Sequence, residues 1–251
     1  MSNKQTSFGF KNVSESLKTK LVDQVFNSVA DKYDLMNDIM SLGIHRLWKD
    51  KLVENIDVRD KLNILDMASG TGDVAFKIYK KLVNHCEDFS ITIADINKEM
   101  LAVGKDRAID KNIISSQVKW QCENGEKTSF KSNMFDYYTI AYGIRNFSNI
   151  EKAVKEAYRI LKKGGKFICL EFNQLEDQNL QKLYDFYSFN IIPKIGSVIT
   201  GDQDSYQYFV ESIRKFPSSD DFIEILKNNG FKSANYQKLT FGLTTLYIGE
   251  K

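Results

Sequence analysis

Residues Lys61–Ala75, KLNILDMASGTGDVA, predict a buried strand, a glycine turn and the start of a helix. The apolar residues within 62–67 are typical of a strand that is covered on both faces, and those after the turn recur at helical spacing. Gly70 and Gly72 allow a tight turn that brings backbone N–H groups close to a ligand. In an open parallel sheet, such a turn at the carboxyl end of a strand is the usual ligand crevice.

The charge next to this turn indicates which ligand it binds. Gly70, Gly72 and Ala75 match the dinucleotide pattern GxGxxG/A, which is a weak signal on its own. Asp66 ends the strand just before the glycines, where a carboxylate would repel a pyrophosphate and attract a cation. The segment therefore favours S-adenosyl-L-methionine, which carries an ammonium and a sulfonium, over NAD. The alternative is that Asp66 only hydrogen-bonds the loop.

Two further polar sites follow the next strands. Asp95 ends the apolar segment SITIAD, where a carboxylate binds ribose hydroxyls in this class of fold. This position supports a nucleoside ligand without choosing between nucleosides. Asn124 and Gly125 follow the third strand and are well placed for an adenine edge. An ordinary Asn-Gly turn explains them nearly as well.

Length and composition indicate one globular protein. The 251 residues are 42% apolar and 27% charged, and the formal net charge is +2. Basic and acidic residues are interspersed, so no nucleic-acid partner is expected. Cys86, Cys122 and Cys169 lack metal-ligand spacing, which predicts reduced, buried thiols in a cytoplasmic protein and no metal. Because no signal peptide or long apolar run is present, any membrane contact is expected to be peripheral.

Strand and helix patterns alternate after the glycine turn. Strands are predicted at 62–67, 90–95, 117–123, 135–142 and 166–172, with helices at 74–83 and 98–107. Ser148 and Glu151 match a capping box for another helix, which Lys162, Lys163 and Gly164 would end. A helix at 220–229 precedes two segments, FKSANYQKL and LTTLYIGEK, that predict an antiparallel pair. A parallel sheet that ends in such a pair is the arrangement of class I S-adenosylmethionine-dependent methyltransferases.

Two segments lie outside this alternation. The residues before Lys61 predict helices with a break at Gly43, and one apolar face runs through Leu21, Val25, Phe26, Val29, Ala30 and Tyr33. Residues 173–217 are rich in Tyr, Phe and Ile, and they would fill a satellite core or line a pocket for a large apolar acceptor. We therefore predict one compact unit, with a helical cap at 1–60 and a cofactor-binding methyltransferase domain at 61–251 whose insert spans about 173–217.

Several longer segments carry a family resemblance: KYDLMNDIMSLGIHRLWK, ILDMASGTGD, YGIRNF, RILKKGGKFICLEF and DSYQYFVESIRKFP. With them the chain resembles the ubiquinone/menaquinone biosynthesis C-methyltransferases of the UbiE/MenG type over nearly its whole length. The resemblance implies a Rossmann-like seven-stranded sheet with the last strand antiparallel. It also implies S-adenosyl-L-methionine as cofactor, with S-adenosyl-L-homocysteine as product. By this analogy Thr71, Asp95, Asn124 and Gly125 bind the cofactor, whereas Ser69 and Ala141 depart from the family's usual glycine and serine.

The implied reaction is methylation of a ring carbon of a polyprenylated quinol, either 2-polyprenyl-6-methoxy-1,4-benzoquinol or demethylmenaquinol or both. Deprotonation of a hydroquinol hydroxyl would make that carbon nucleophilic. Arg145 is expected to stabilise the phenolate, and a water held by Arg145 and Asn146, or His45, would take the proton. The alternative for Arg145 is a salt bridge that fixes the loop. Arg145→Ala is predicted to retain cofactor binding and lose turnover.

The partners follow from the same resemblance. A prenyl tail implies peripheral contact with the inner face of the membrane, and the sequence leaves a homodimer or a quinone-biosynthesis complex open. Three other functions compete with this interpretation: a nicotinamide-dependent oxidoreductase, a non-catalytic cofactor-binding scaffold, and a methyltransferase for another small molecule.

Overall fold

The computed structural model describes residues 4–29, 33–41, 43–195 and 203–251. Its strands are, in chain order, β1 (Gln5–Phe8), β2 (Lys11–Ser14), β3 (Leu62–Met67), β4 (Phe89–Asp95), β5 (Val118–Cys122), β6 (Phe135–Ala141), β7 (Leu161–Phe172), β8 (Ser233–Leu239) and β9 (Thr244–Glu250). β1 and β2 form an antiparallel hairpin, and the others form a seven-stranded sheet in the order β5-β4-β3-β6-β7-β9-β8. β9 is antiparallel to both of its neighbours. The predicted Rossmann-like α/β fold with its last strand antiparallel is confirmed.

The helices lie between and around these strands. They are α1 (Glu15–Val29), α2 (Tyr33–Ser41), α3 (His45–Glu54), α4 (Asp73–Leu82), α5 (Lys98–Asp110), α6 (Ile150–Ile160), α7 (Gln178–Phe186), α8 (Gln203–Lys215) and α9 (Ser219–Asn228). A π-helical turn, Tyr187–Ile191, follows α7, so the aromatic insert is largely helical. A 3-10 turn, Ile144–Asn146, follows β6. None of the described helices is long and apolar enough to cross a bilayer.

The central strands are covered on both faces, as the apolar segment 62–67 predicts. Ile64 and Leu65 are fully buried neighbours on β3, and they belong to two different hydrophobic clusters. Successive side chains of a strand point to opposite faces, so these two clusters cover the two faces of the sheet. This arrangement fixes the ends of the strands and therefore the position of the loops that follow them.

The predicted capping box of α6 is wrong. Asn149 is the N-cap, since its side-chain oxygen accepts a hydrogen bond of 3.0 Å from the backbone N–H of Lys152. The Ser148 hydroxyl donates instead to the Glu126 carboxylate at 2.8 Å. The predicted end of this helix is also wrong, because α6 ends at Ile160 and residues 162–164 belong to β7. A register shift between β6 and β7 at this point accommodates them.

The amino-terminal segment differs from its prediction in two ways. The hairpin of β1 and β2 was not predicted, and its Phe8 stacks on Tyr208 of α8 with ring centroids 4.2 Å apart. Helix α1 begins at Glu15, six residues before the predicted apolar face at Leu21. The part of that face at Ala30 and the side chain of Tyr33 lie outside the described residues. The cysteines are free, but Cys122 is exposed, which corrects the prediction that all three are buried.

Candidate active site

The loops at the carboxyl ends of β3, β4, β5 and β6 meet around a cavity of about 720 Å³, its open mouth included. Because of its place at the strand ends it is called the main cavity, although larger spaces exist elsewhere on the protein. Helix α1 lies over these loops and contributes part of the wall. The lining comprises Thr19, Val22, Asp23, Phe26, Met67, Ala68, Gly70, Asp95, Ile96, Asn97, Met100, Glu123, Asn124, Gly125, Glu126, Tyr142, Gly143, Asn146, Phe147 and Ser148. A small cleft of about 330 Å³ lies beside it, lined by Lys49, Asp66, Ala68, Ser69, Thr71, Asp73, Val74, Ala141 and Tyr142.

The glycine turn has the positive φ angles that its glycines predict. Gly70 and Gly72 have φ values of +57° and +85°, a region that other residues rarely adopt. A Cβ on Gly72 would lie 2.9 Å from the ring of Phe76, so this position also lacks room for a side chain. The backbone N–H of Gly70 donates to the Asp95 carboxylate at 2.8 Å. The turn therefore lies against the end of β4. Gly70 lines the main cavity, whereas Gly72 lines neither the main cavity nor the small cleft, and its contact with a cofactor stays a prediction.

Asp95 has a buried carboxylate at the wall of the main cavity. One oxygen accepts from Gly70 N–H, and the other accepts from Asn97 N–H at 2.9 Å. Burial raises the pKa of Asp95 to about 6, although these backbone hydrogen bonds act in the opposite direction. The position agrees with a role toward ribose hydroxyls, and that role stays a prediction.

Asp66 lines the small cleft and does not line the main cavity. Its carboxylate accepts hydrogen bonds from the Ser69 hydroxyl and, at 2.7 Å, from the Thr139 hydroxyl. Burial raises the pKa of Asp66 to about 6. These contacts agree with the alternative in which Asp66 holds the loop, and its contact with a cofactor stays a prediction.

The remaining predicted cofactor residues are divided between the two spaces. Asn124 and Gly125 line the main cavity, where Asn124 Oδ1 accepts from Glu126 N–H at 2.9 Å and so closes a local turn. A Cβ on Gly125 would lie 2.7 Å from the ring of Phe147, which explains the glycine. Thr71 lines the small cleft, and its hydroxyl accepts a hydrogen bond from Arg107.

The charges of the main cavity favour a cationic ligand. Four carboxylate residues line it, namely Asp23, Asp95, Glu123 and Glu126, and among the described residues no Lys, Arg or His does so. A pyrophosphate would find no cationic partner there, whereas a sulfonium gains from the negative charge. The residues present therefore fit S-adenosylmethionine and do not fit a dinucleotide.

Of the three predicted catalytic residues, one faces the main cavity. Asn146 lines it, and its amide oxygen accepts from the Tyr208 hydroxyl at 2.9 Å, while its amide nitrogen donates to the Tyr142 carbonyl at 3.3 Å. His45 lines neither space. Its Nε2 lies 2.9 Å from Asp38 Oδ1, and burial lowers its pKa.

Arg145 does not line the main cavity and instead forms a buried ion pair. Its Nη1 lies 2.6 Å from Glu171 Oε1 and donates to the Tyr142 carbonyl at 2.6 Å, and Nε donates to the Ser212 hydroxyl at 3.2 Å. These contacts match the salt-bridge alternative for Arg145. Its predicted contact with a substrate stays a prediction.

Sequence reasoning did not single out Glu171, Tyr208 or Lys49. A signal for Glu171 was available, because it is an acidic residue near the carboxyl end of a predicted strand, as are Asp66 and Asp95. Tyr208 and Lys49 carry no such signal, since their contacts join segments that are far apart in the sequence.

The sheet order, the antiparallel last strand and the acidic cavity define a class I S-adenosylmethionine-dependent methyltransferase. Solved structures with the same fold include a SAM-dependent methyltransferase from Aquifex aeolicus, which is 13% identical with a TM-score of 0.58 and coverage of 94% of this chain and 97% of that one. Another is phosphoethanolamine N-methyltransferase 2 from Haemonchus contortus in complex with S-adenosyl-L-methionine, with a TM-score of 0.58 at 16% identity, covering 83% of this chain and 52% of that one.

The family is shown by sequence. The model of the ubiE/COQ5 methyltransferase family matches residues 10–251, and the chain belongs to this family. The ubiquinone/menaquinone biosynthesis C-methyltransferase UbiE of Rickettsia bellii is 50% identical over 247 residues, which is 98% of this chain and 99% of the relative. The UbiE protein of Rickettsia prowazekii is 48% identical over 246 residues, 98% of each chain. The predicted resemblance is confirmed.

Proposed function

We propose that this chain transfers the methyl group of S-adenosylmethionine to a ring carbon of a polyprenylated quinol, namely 2-polyprenyl-6-methoxy-1,4-benzoquinol, demethylmenaquinol or both. The cavity at the strand ends carries the proposal, because it offers negative charge and no described cation to a sulfonium donor. Relatives that are 50% identical over almost the whole chain, and that are named for methylation in ubiquinone and menaquinone biosynthesis, support the acceptor class.

In the proposed complex, residues of the main cavity hold the nucleoside. The carboxylate of Asp95 accepts hydrogen bonds from the ribose hydroxyls, and Asn124 and Gly125 contact the adenine edge. Gly70 allows the turn to approach the ligand closely because it carries no side chain. Asp66 holds the loop to β6 by way of Thr139. Its carboxylate also lines the small cleft and adds negative charge beside the main cavity.

The bound cofactor supplies an electrophilic methyl group on a positively charged sulfur. The protein must hold the acceptor carbon in line with that group and keep the acceptor hydroxyl deprotonated. Asn146 is the predicted residue that faces the cavity, and Tyr208 and the Tyr142 carbonyl orient its amide. We assign Asn146 the contact with the acceptor oxygen.

Arg145 helps to hold this geometry without lining the main cavity. Its guanidinium and the Asn146 amide donate to the same carbonyl, that of Tyr142. Arg145 does not line the main cavity, and its guanidinium is paired with Glu171, so we favour a positioning role for it. His45 as a general base stays a prediction without a supporting contact to the cavity.

Peripheral membrane contact is part of the proposal because a prenylated acceptor is insoluble in water. Helix α7 has no buried residue and exposes Leu180, Leu183 and Phe186 on one side. These side chains support contact between the insert and a lipid surface. A homodimer or a larger complex stays a prediction.

A transfer assay tests the proposal. Purified protein is incubated with S-adenosylmethionine and each reduced quinol acceptor, and the products are analysed by mass spectrometry. We expect S-adenosylhomocysteine and a quinol that has gained one methyl group on carbon. Failure to methylate either quinol by a protein that binds the cofactor would leave the scaffold, or the methyltransferase for another small molecule, as the explanation. Calorimetry with NAD(H), for which we expect no binding, addresses the oxidoreductase alternative.

A further inference from the structure

The main cavity leaves one charge of the cofactor without a partner. S-Adenosylmethionine carries a carboxylate and an ammonium at its amino-acid end in addition to the sulfonium. The main cavity contains four carboxylate residues and, in the described part of the chain, no cationic side chain. A carboxylate held among these acids would be repelled. A neighbouring space that contains a cation therefore suits the amino-acid end better than the main cavity.

We propose that the small cleft receives the amino-acid end of the cofactor and that the Lys49 ammonium binds its carboxylate. This inference rests on the proposed function. The small cleft shares Ala68 and Tyr142 with the main cavity, so the two spaces adjoin. In the proposed complex the elongated ligand extends from one space into the other. Lys49 is the cationic residue in the described lining of this cleft.

Lys49 is held at this place by the fold. It lies on α3, only 4% of its side chain is exposed, and its Nζ donates to Asp73 Oδ2 at 2.8 Å. Asp73 is the first residue of α4, directly after the glycine turn. An ammonium has three N–H donors, so the pair with Asp73 leaves donors for a ligand carboxylate.

The acidic residues of the small cleft complete the match to a zwitterion. Asp66 and Asp73 both line it, next to Lys49. An ionised carboxylate has about four lone-pair sites, so each can accept a further hydrogen bond from the ligand ammonium. Burial raises the pKa of Asp73, but the charge and hydrogen bond of Lys49 outweigh it and the pKa is lowered overall. The cleft therefore presents a fixed cation beside ionised Asp73.

The competing explanation is that Lys49 only neutralises Asp73 and stabilises the contact between α3 and α4. The two explanations differ in how they depend on the ligand. A structural lysine affects every ligand of the site equally. A lysine that binds the carboxylate affects only ligands that contain it.

The test compares S-adenosylhomocysteine with its decarboxylated analogue by titration calorimetry. For the wild-type protein we expect tighter binding of S-adenosylhomocysteine. Lys49→Met should weaken binding of S-adenosylhomocysteine by ~10-fold to 100-fold and leave the analogue unchanged, because a charge-assisted hydrogen bond is lost. Lys49→Arg should keep most of the preference. Lys51→Met is the matched control, since Lys51 lies on the same helix and pairs with Glu54 at the surface.

A double variant controls for misfolding of the Lys49→Met protein. Lys49→Met combined with Asp73→Asn removes both charges, so no unpaired carboxylate remains, and the same loss of preference is expected. Equal weakening of both ligands, or no change for either, would overturn the inference. Failure of the wild-type protein to bind any of these nucleosides would instead overturn the proposed function on which the inference rests.

Discussion

The buried ion pair between Arg145 and Glu171 affects both the stability of the protein and the geometry of the site. The exposed fractions of the two side chains are 3% and 0%, and Arg145 also holds the Tyr142 carbonyl. Burial raises the pKa of Glu171, although the Arg145 charge opposes the shift. Loss of either partner leaves the other charge buried without compensation. The pair therefore belongs both to the stability of the fold and to the geometry around Asn146.

Arg145→Ala is expected to lower the free energy of unfolding by about 3–5 kcal/mol, because Glu171 stays buried and unpaired. Urea denaturation measures the change. Arg145→Met combined with Glu171→Gln should recover much of the loss, and Lys152→Ala, which removes an exposed pair with Glu15, should change little. A single variant as stable as the wild type would show that the pair does not hold the loop.

The pKa values of Asp66 and Asp95, about 6 in each case, predict a pH-dependent affinity for the cofactor. Both carboxylates lose their negative charge as the pH falls below 6, so the attraction for the sulfonium weakens. We expect the dissociation constant of S-adenosylmethionine to rise by about tenfold between pH 7 and pH 5. S-Adenosylhomocysteine lacks the sulfonium and should respond less.

The raised pKa values of Asp66 and Asp95 also make the free energy of unfolding depend on pH. Because their folded-state pKa values are raised, the native state binds more protons than the unfolded state between about pH 4 and 6. Their contribution to the free energy of unfolding therefore decreases as the pH rises through this interval.

The affinity prediction is checked with a variant. Asp95→Asn should flatten the pH dependence of S-adenosylmethionine affinity measured by calorimetry. If the affinity for S-adenosylmethionine did not change between pH 5 and pH 7, the prediction would be contradicted.

At the scale of helices and strands, the sequence predicted correctly the elements whose ends are set by local interactions. The strand predicted at 62–67 has the same bounds in the structure, and α4 and α5 lie within three residues of their predicted ends. The cap of α6 was predicted wrongly because Ser148 is bound by Glu126, 22 residues earlier. Glu171, the partner of Arg145, lies 26 residues later. Hydrophobic periodicity carries no information on contacts between residues so far apart in the sequence. The sequence therefore identified candidate site residues but not the residues that they contact.

The contact between the loops after β3 and β6 is another feature that only the structure shows. A Cβ on Gly143 would lie 2.6 Å from the Cβ of Ala68 and 3.3 Å from Ile140. Both Gly143 and Ala68 line the main cavity. The width of this wall is therefore set by the absence of a side chain at residue 143.

Gly143→Ala is expected to force the two loops apart, to lower the free energy of unfolding by about 1–3 kcal/mol and to weaken binding of S-adenosylhomocysteine. Denaturation and calorimetry measure the two effects. Gly164→Ala is the control, since a Cβ there meets nothing within 4 Å and φ is +76°. That variant should lose stability through backbone strain and keep its affinity. Unchanged affinity in Gly143→Ala would show that the loops tolerate the added methyl group.

At the scale of the whole molecule, the amino-terminal helices are joined to the sheet at the site itself. Asp23 and Phe26 of α1 line the main cavity, and the Asn97 side chain donates to Asp23 Oδ1 at 2.8 Å and to Asn27 Oδ1 at 2.6 Å. These bonds connect α1 to the start of α5. The division into a cap at 1–60 and a domain at 61–251 stays a prediction, and the contacts support one compact unit.

The exposed side of α7 is predicted to bind the lipid surface that contains the acceptor. Leu183 and Phe186 are 67% and 61% exposed and lie three residues apart on one helix face. We expect Leu183→Ser combined with Phe186→Ser to weaken sedimentation with anionic vesicles that contain a long-chain quinol by about tenfold or more. Ile114→Ser, which removes another exposed apolar side chain after α5, is the control.

The same α7 variant separates membrane contact from catalysis. With a water-soluble quinol that lacks the long tail, its turnover should equal that of the wild type, because α7 contributes no residue to the wall of the main cavity. With the long-chain quinol in vesicles, turnover should fall together with sedimentation, since the acceptor is then reached only from the lipid surface. Sedimentation equal to that of the wild type would place membrane contact on another face of the protein.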